Sequence, residues 1–170
     1  MTIVVANRQR ARKINPRRLK EIAEMLLADL GIEAAELGIT LVAAREMTLI
    51  NETFLQHEGS TDVVTFDYTQ EAGAGSPRPA GGAPRAARSA LHGEIFICVD
   101  AAVSQSKTFR TTWQSEIVRY LVHGVLHLLG HDDRHAGARR RMKREENRRL
   151  ARLSGKFSLA QIGGASKLRV

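Results

Sequence analysis

The sequence is poor in the residues that cross-link a chain or hold it in a membrane. Cys98 is the only cysteine among 170 residues, so no intramolecular disulfide can form, as is usual in a reducing compartment. No apolar run approaches the roughly 18 to 20 residues that span a bilayer. Residues 1–13 place a short apolar run before the positive charges, which is the reverse of the order in a signal peptide. We therefore expect a cytoplasmic protein with no membrane partner.

Aromatic and acidic residues are also scarce. Aromatics make up 5% of the chain, so aliphatic side chains and alanine must supply most of the core. The 26 lysines and arginines outnumber the 18 acidic residues and give a net charge of +8. That excess favours a polyanionic partner such as nucleic acid, and a basic solvated surface without a specific partner is the alternative. No nucleotide cofactor is expected.

The spacing of apolar residues predicts four strands and five helices in one domain. The strands are predicted at residues 2–6, 38–44, 61–68 and 92–99. The helices are predicted at residues 16–30, 46–56, 101–108, 112–129 and 136–153. Because strands and helices share one core, we predict an α+β fold (an α/β sandwich) over residues 1–153. It contains a mixed sheet of about four strands packed by helices.

Two segments lack this spacing. Residues 69–90 hold three of the four prolines and four glycines, which predicts a flexible loop. The loop is either a tolerated surface insertion or an RNA-contacting arm that uses Arg78, Arg85 and Arg88. Residues 154–170 are predicted to form a frayed basic tail.

The most informative segment is HGVLHLLGHDD, which begins at His123. His123 and His127 are four residues apart on a predicted central helix, so both imidazoles can reach one metal ion. Gly130 allows the helix to end and the chain to turn, which brings Asp133 back to the same ion. Three protein ligands leave a fourth position open for water, the arrangement of catalytic zinc. His131 and His135 compete with Asp133 for the third position, with His135 the stronger competitor.

The pattern is close to the zinc-peptidase helix H-E-x-x-H-x-x-G-x-x-H/D, with one difference. Gly124 stands where a peptidase keeps the glutamate that acts as general base. Peptidase chemistry would lack its usual base, whereas attack on a phosphodiester remains possible if cations stabilise the developing charge. Glu116 and Arg119 lie on roughly the same helix face as His123. They either border the site or pair with each other or with water.

These residues resemble the YbeY family of bacterial endoribonucleases. The family helix reads H-G-x-L-H-L-x-G-x-D-H, and the segment from His123 is similar to it. An L-N segment and a T-D-V-L-S-F segment of the family resemble Ile50-Asn51 and residues 61–66. The family strand G-D-I-x-I resembles residues 93–97. The resemblance covers about residues 39–147 in the same order.

The resemblance implies a single-domain fold with one Zn²⁺ ion on the central helix. It also implies metal-dependent cleavage of single-stranded RNA, maturation of 16S rRNA, ribosome quality control and contact with rRNA and ribosomal components. His123 and His127 match the first two ligands of the family, and Asp133 stands where the third is usually histidine. Many members carry an arginine at the position of Leu55, so another cation must substitute or the catalytic arrangement must differ.

Further site residues are expected around this metal. The catalytic candidates are Arg119, Glu116 and Asp62, and Asp62 has the alternative role of a residue that starts a strand. The candidates for substrate binding are Arg45, Arg139 and Arg140; Arg45 and Arg119 are also the possible substitutes for the missing family arginine. Two other functions stay open: a zinc metallopeptidase, and a non-enzymatic ribosome-assembly factor whose metal is structural.

Overall fold

The computed structural model describes residues 1–69, 78–79 and 90–164. Most of the predicted elements begin and end within a few residues of their predicted positions, because apolar residues recur with the period of their secondary structure. The strands are β1 (Thr2–Asn7), β2 (Ala34–Val42), β3 (Val63–Asp67), β4 (Arg78–Pro79) and β5 (Ala90–Cys98). The α-helices are α1 (Pro16–Asp29), α2 (Ala44–Ile50), α3 (Val99–Phe109), α4 (Trp113–Leu128) and α5 (Ala136–Lys156).

The strands form one mixed sheet in the order β1-β2-β5-β3-β4. The pairs β1–β2 and β2–β5 are parallel, and β3 is antiparallel to both β5 and β4. The predicted α+β fold with a mixed sheet of about four strands is thus confirmed. The two residues of β4 extend the edge of the sheet within the segment predicted to be a loop, and Arg85 and Arg88 of that segment lie outside the described residues.

Helix α4 is the central element, as its apolar composition predicts. It packs against β3 and β5 and also contacts α1, α3 and α5. Ten of its sixteen residues are buried. Because α4 is held from several sides, side chains at its C-terminal end are placed rigidly relative to the sheet. None of the helices in the described part of the chain is long and apolar enough to cross a membrane.

Two predicted segments differ from the structure. The helix predicted at residues 46–56 is α2 followed by a π-helix, Asn51–Leu55. The amide of the buried Asn51 donates hydrogen bonds to the carbonyls of His57 and Gly59, which draws the chain out of the α-helical path. The prediction of a frayed tail is wrong for residues 154–164. α5 extends to Lys156, and the fully buried Ile162 belongs to a 3₁₀-helix, Leu159–Ile162, that packs on the core.

Candidate active site

The two motif histidines lie in the last three turns of α4. Thr112 caps the start of the helix by accepting a hydrogen bond from the backbone N–H of Ser115. The rings of His123 and His127 are 4.4 Å apart, and their Nε2 atoms are separated by 2.8 Å. The i,i+4 spacing therefore brings both imidazole nitrogens to one point, as predicted.

A glycine-terminated turn returns the chain to these histidines. Gly130 has φ of +90°, a conformation that favours glycine. The N–H of Gly130 donates to the carbonyl of His127, and the N–H of His131 donates to the carbonyl of Leu126. These two bonds form a Schellman motif, which ends the helix and reverses the chain. As a result, Asp133 Oδ2 lies 3.9 Å from His123 Nε2 and 3.7 Å from His127 Nε2.

The three ligand atoms are spaced as a single ion requires. His123, His127 and Asp133 form a group of possible metal ligands within the described residues. From the three separations, one point lies about 2.0 Å from all three atoms, which agrees with zinc–nitrogen and zinc–oxygen bond lengths of about 2.0–2.2 Å. The group can therefore hold a metal ion. His131 and His135, the competing candidates, line a different cleft.

A buried carboxylate on α5 orients the first histidine. Glu146 is 6% exposed, and its Oε1 lies 2.6 Å from Nδ1 of His123. A carboxylate can only accept, so Nδ1 carries the proton and Nε2 can present its lone pair to a metal. Burial lowers the pKa of His123, but the hydrogen bond and charge of Glu146 outweigh burial and raise it.

The second histidine has a different environment. Burial and the neighbouring His123 both lower the pKa of His127, which favours the neutral imidazole that binds metals. Its Nδ1 is buried without a well-formed hydrogen bond among the described residues, although the His131 backbone raises the pKa weakly. The two histidines thus reach a metal-binding state by different means. A carboxylate orients His123, whereas burial favours the neutral form of His127.

Two members of the triad, His123 and Asp133, line a cleft of about 630 Å³. Five further predicted site residues line the cleft with them: Asp62, Glu116, Arg119, Arg139 and Arg140. Arg45 does not line this cleft and is exposed on α2. The cleft therefore unites the catalytic candidates and two of the three substrate-binding candidates.

Arg119 and Glu116 occupy the wall of the cleft next to His123. Arg119 donates a hydrogen bond to Asn147 Oδ1 at 2.8 Å and lies 3.9 Å from Glu116 and 3.7 Å from Glu146. Glu116 is 4% exposed and accepts a 2.5 Å hydrogen bond from the hydroxyl of Thr111. Both predicted alternatives hold, since the two side chains border the site and lie near each other.

The glycine that replaces the peptidase glutamate faces the sheet. A Cβ atom at Gly124 would lie 2.9 Å from Cγ2 of Ile95 and 3.2 Å from Cγ2 of Thr65. The close approach of α4 to β3 and β5 therefore leaves no room for a side chain at this position. A general base of the peptidase kind cannot be accommodated there.

The position of the expected family arginine is apolar in structure as well as in sequence. Leu55 packs against a small core cluster that includes Met47 and Phe66. A cation at the cleft must therefore come from another element. Of the two substitutes considered, only Arg119 reaches the cleft.

Several site residues were missed from the sequence. Glu146 was not among the predicted site residues, yet it is buried against His123. The signal was its place in a stripe of α5 with the spacing of a buried helix face: Met142, Glu146, Arg149 and Leu153. Phe109, Tyr120 and Lys143 also line the cleft. Only the fold brings them there, so no local pattern marks them.

Comparisons with known proteins agree with the motifs. The family model described as "Endoribonuclease YbeY" matches residues 4–154. An endoribonuclease YbeY from Anaeromyxobacter dehalogenans is 37% identical over 82% of this chain and 64% of its own length. That of Parabacteroides distasonis is 30% identical over 78% of this chain and 79% of its own length. The solution structure of a target protein from Thermotoga maritima covers 99% of both chains with a TM-score of 0.60 and 18% identity, which supports the fold. The chain therefore belongs to the endoribonuclease YbeY family.

Proposed function

We propose that the protein is an endoribonuclease that cleaves single-stranded RNA in 16S rRNA maturation with one Zn²⁺ ion held by His123, His127 and Asp133. The observation that carries the proposal is the position of this triad at a cleft that is lined by His123, Asp133 and several cations. Family membership supports the endoribonuclease activity and the RNA substrate. Contact with ribosomal components, a part in ribosome quality control and a cytoplasmic location belong to the same proposal.

The donor set suits zinc. Two neutral imidazoles and one carboxylate are accepted zinc ligands, and a three-residue set leaves a position for water. A zinc ion bound here would supply Lewis-acid activation of water and of a phosphate oxygen. The carboxylate in place of the commoner third histidine adds negative charge, which moves the preference toward oxygen-loving ions. The affinities of the site for zinc and for manganese should therefore be compared.

The remaining candidates have separable roles in this proposal. Arg119 binds the phosphate that is cleaved, because its guanidinium reaches the cleft and is held there by Asn147 and Glu116. Glu116 is a positioning residue, since its carboxylate is buried and hydrogen-bonded to Thr111. Asp62 is exposed at the cleft, and its Oδ1 accepts a hydrogen bond from the backbone N–H of Val63. That carboxylate is the candidate to accept a proton from attacking water.

Cations on α5 bind the flanking phosphates. Arg139, Arg140 and Lys143 are exposed at the cleft on consecutive turns of α5. Such contacts give affinity that does not depend on base sequence. A peptidase is disfavoured because the position of its general base, Gly124, is packed against the sheet.

The proposal is tested by cleavage of an rRNA fragment that contains an unpaired 16S end. The zinc-loaded protein is compared with His127→Ala, which removes a ligand, and with His135→Ala, which changes a nearby histidine outside the triad. We expect cleavage by the wild type and His135→Ala and none by His127→Ala. Equal cleavage by all three would identify a contaminating nuclease.

A second measurement separates the enzyme from a non-enzymatic assembly factor. A bacterium that lacks its own family member is complemented with the wild type or with His127→Ala. Rescue by the inactive variant would show that assembly does not require RNA cleavage. Failure of that variant, with rescue by His135→Ala, is the result expected of an enzyme.

A further inference from the structure

Phe109 is an exposed aromatic ring at the cleft. Its exposed fraction is 66%, in a chain whose aromatic content is only 5%. Five large hydrophobic residues are exposed in the described ranges, and Phe109 is the member of that group that also lines the cleft of the metal triad. Burying such a ring against a bound ligand would be favourable. Because the ring lies at the cleft, that ligand would be the molecule that binds in the cleft.

The backbone around Phe109 is held in a defined position. Helix α3 ends at Phe109 because Arg110 adopts a left-handed conformation with φ of +53°. A non-glycine residue in that conformation persists only where its surroundings enforce it. The next residue, Thr111, donates its backbone N–H to Ser106 and its hydroxyl to Glu116 on α4. The ring is therefore connected by a short, ordered path to the helix that carries His123.

The other side chains of the cleft indicate what Phe109 contacts. Arg139, Arg140 and Lys143 supply positive charge on α5, whereas Phe109 supplies an apolar ring on α3. A groove with cations for the backbone and an aromatic platform for bases is the usual arrangement for binding single-stranded nucleic acid. Phosphate contacts alone do not separate single strands from duplexes, whereas stacking needs an unpaired base.

We propose that Phe109 stacks on an unpaired base next to the cleaved phosphate and so gives the enzyme its selectivity for single-stranded RNA. This inference rests on the proposed function and adds the residue that recognises the substrate class. The neighbouring aromatic Tyr120 is 4% exposed and cannot offer its ring face in the same way. Phe109 is thus a substrate-binding residue, separate from the groups that hold the metal.

The test compares RNAs that share their phosphates and differ in one base. Binding of a fluorescein-labelled oligoadenylate to zinc-loaded protein is measured by anisotropy in the cold, with the RNA checked for integrity afterwards. The same strand with one abasic nucleotide and a duplex serve as comparisons. The variants are Phe109→Ala, Phe109→Leu and Phe109→Trp. Phe54→Ala is the matched control, because Phe54 is 54% exposed and does not line the cleft.

We expect Phe109→Ala to weaken single-strand binding between about fivefold and a hundredfold, the usual range for one stacked base. Phe109→Leu should be nearly as weak, Phe109→Trp should bind like the wild type, and Phe54→Ala should be neutral. The wild type should bind the abasic strand more weakly than the intact strand by a similar factor. Phe109→Ala should bind the two strands with nearly equal affinity. Wild-type binding by Phe109→Leu, or an equal loss on the duplex, would overturn the proposal.

The two proposals fail in different ways. If the wild type does not cleave RNA but its binding depends on Phe109 as described, the proposed catalysis is wrong and the stacking role stands. If cleavage depends on His127 but Phe109→Ala binds and cleaves like the wild type, the stacking role is wrong. A wild type that binds no single-stranded RNA would contradict both.

Discussion

Glu146 should control metal affinity without touching the metal. Its carboxylate lies 2.6 Å from Nδ1 of His123, and its side chain is almost completely buried. It fixes which nitrogen of the ring carries the proton and makes the other a better ligand. Glu146→Gln keeps an oxygen that can accept from Nδ1 but removes the negative charge, so it isolates the contribution of charge.

The magnitude follows from the kind of hydrogen bond that is lost. A hydrogen bond to a charged group contributes about 1.5–3 kcal/mol, and a neutral one about 0.5–1.5 kcal/mol. The two ranges differ by about 1–1.5 kcal/mol, which corresponds to a loss of zinc affinity of roughly five- to tenfold for Glu146→Gln. Glu146→Ala leaves Nδ1 without its partner and should approach the hundredfold loss seen when such supporting groups are removed.

Competition with a chromophoric zinc chelator at fixed pH measures this affinity directly. Glu145→Gln is the matched control, because Glu145 is the adjacent acidic residue and pairs with Arg148 and Arg149 instead of His123. Thermal unfolding in the presence of a chelator checks that each variant is folded. If Glu146→Gln and Glu145→Gln both bind zinc like the wild type, the carboxylate does not prepare His123 as described.

The other predictions concern packing, ion pairing and the metal. Gly124→Ala should lower the free energy of unfolding by about 1–3 kcal/mol, because its Cβ would lie 2.9 Å from Ile95. Gly155→Ala should raise the free energy of unfolding by up to about 1 kcal/mol, because a Cβ atom at Gly155 would meet nothing within 4 Å. Equal denaturant midpoints for Gly124→Ala and Gly155→Ala would contradict both predictions. Burial raises the pKa of Asp29, but the hydrogen bond and charge of Arg149 outweigh burial and hold that pKa below the ordinary value of an aspartate. Asp29→Asn should therefore lower the free energy of unfolding by about 2 kcal/mol at neutral pH. This loss should vanish as the pH falls through the lowered pKa of Asp29, and urea titrations that give the same loss at every pH would exclude the pairing. Removal of the metal with a chelator should weaken RNA binding measured by anisotropy, because the site carboxylates then repel phosphate, and unchanged binding would refute that electrostatic reasoning.

The metal triad could be predicted from the sequence because it is local. His123, His127 and Asp133 lie within eleven residues, so helix geometry and one glycine turn determine their relative positions. The same reasoning ranks Asp133 above His135, because His135 lies further along the chain that leaves the helix after Gly130. The structure adds the distances that make one shared ion geometrically reasonable.

The residues around the triad could not be predicted in the same way because they come from distant elements. Asp62 precedes β3, Phe109 ends α3 and Glu146 belongs to α5, so their meeting depends on how these elements pack around α4. Tertiary contacts also explain the errors in the fold. Asn51 in the π-helix donates hydrogen bonds to a later loop, and the tail packs on the core through Ile162, Phe157 and Leu159.

The distribution of charge explains why a basic protein should place carboxylates at its catalytic centre. Asp133 belongs to the candidate metal triad and three more carboxylates line the same cleft, whereas the cations on α5 are exposed. The three carboxylates are Glu146, Glu116 and Asp62, and the cations are Arg139, Arg140 and Lys143. Under the proposed function, the carboxylates would favour a bound cation, and that cation would compensate the negative charge of an incoming phosphate. The exposed cations attract the rest of the RNA at a distance set by salt screening. In the proposed function, the net charge of +8 therefore accounts for affinity for the RNA polymer, whereas chemistry at the phosphate depends on a locally acidic site that only the fold assembles.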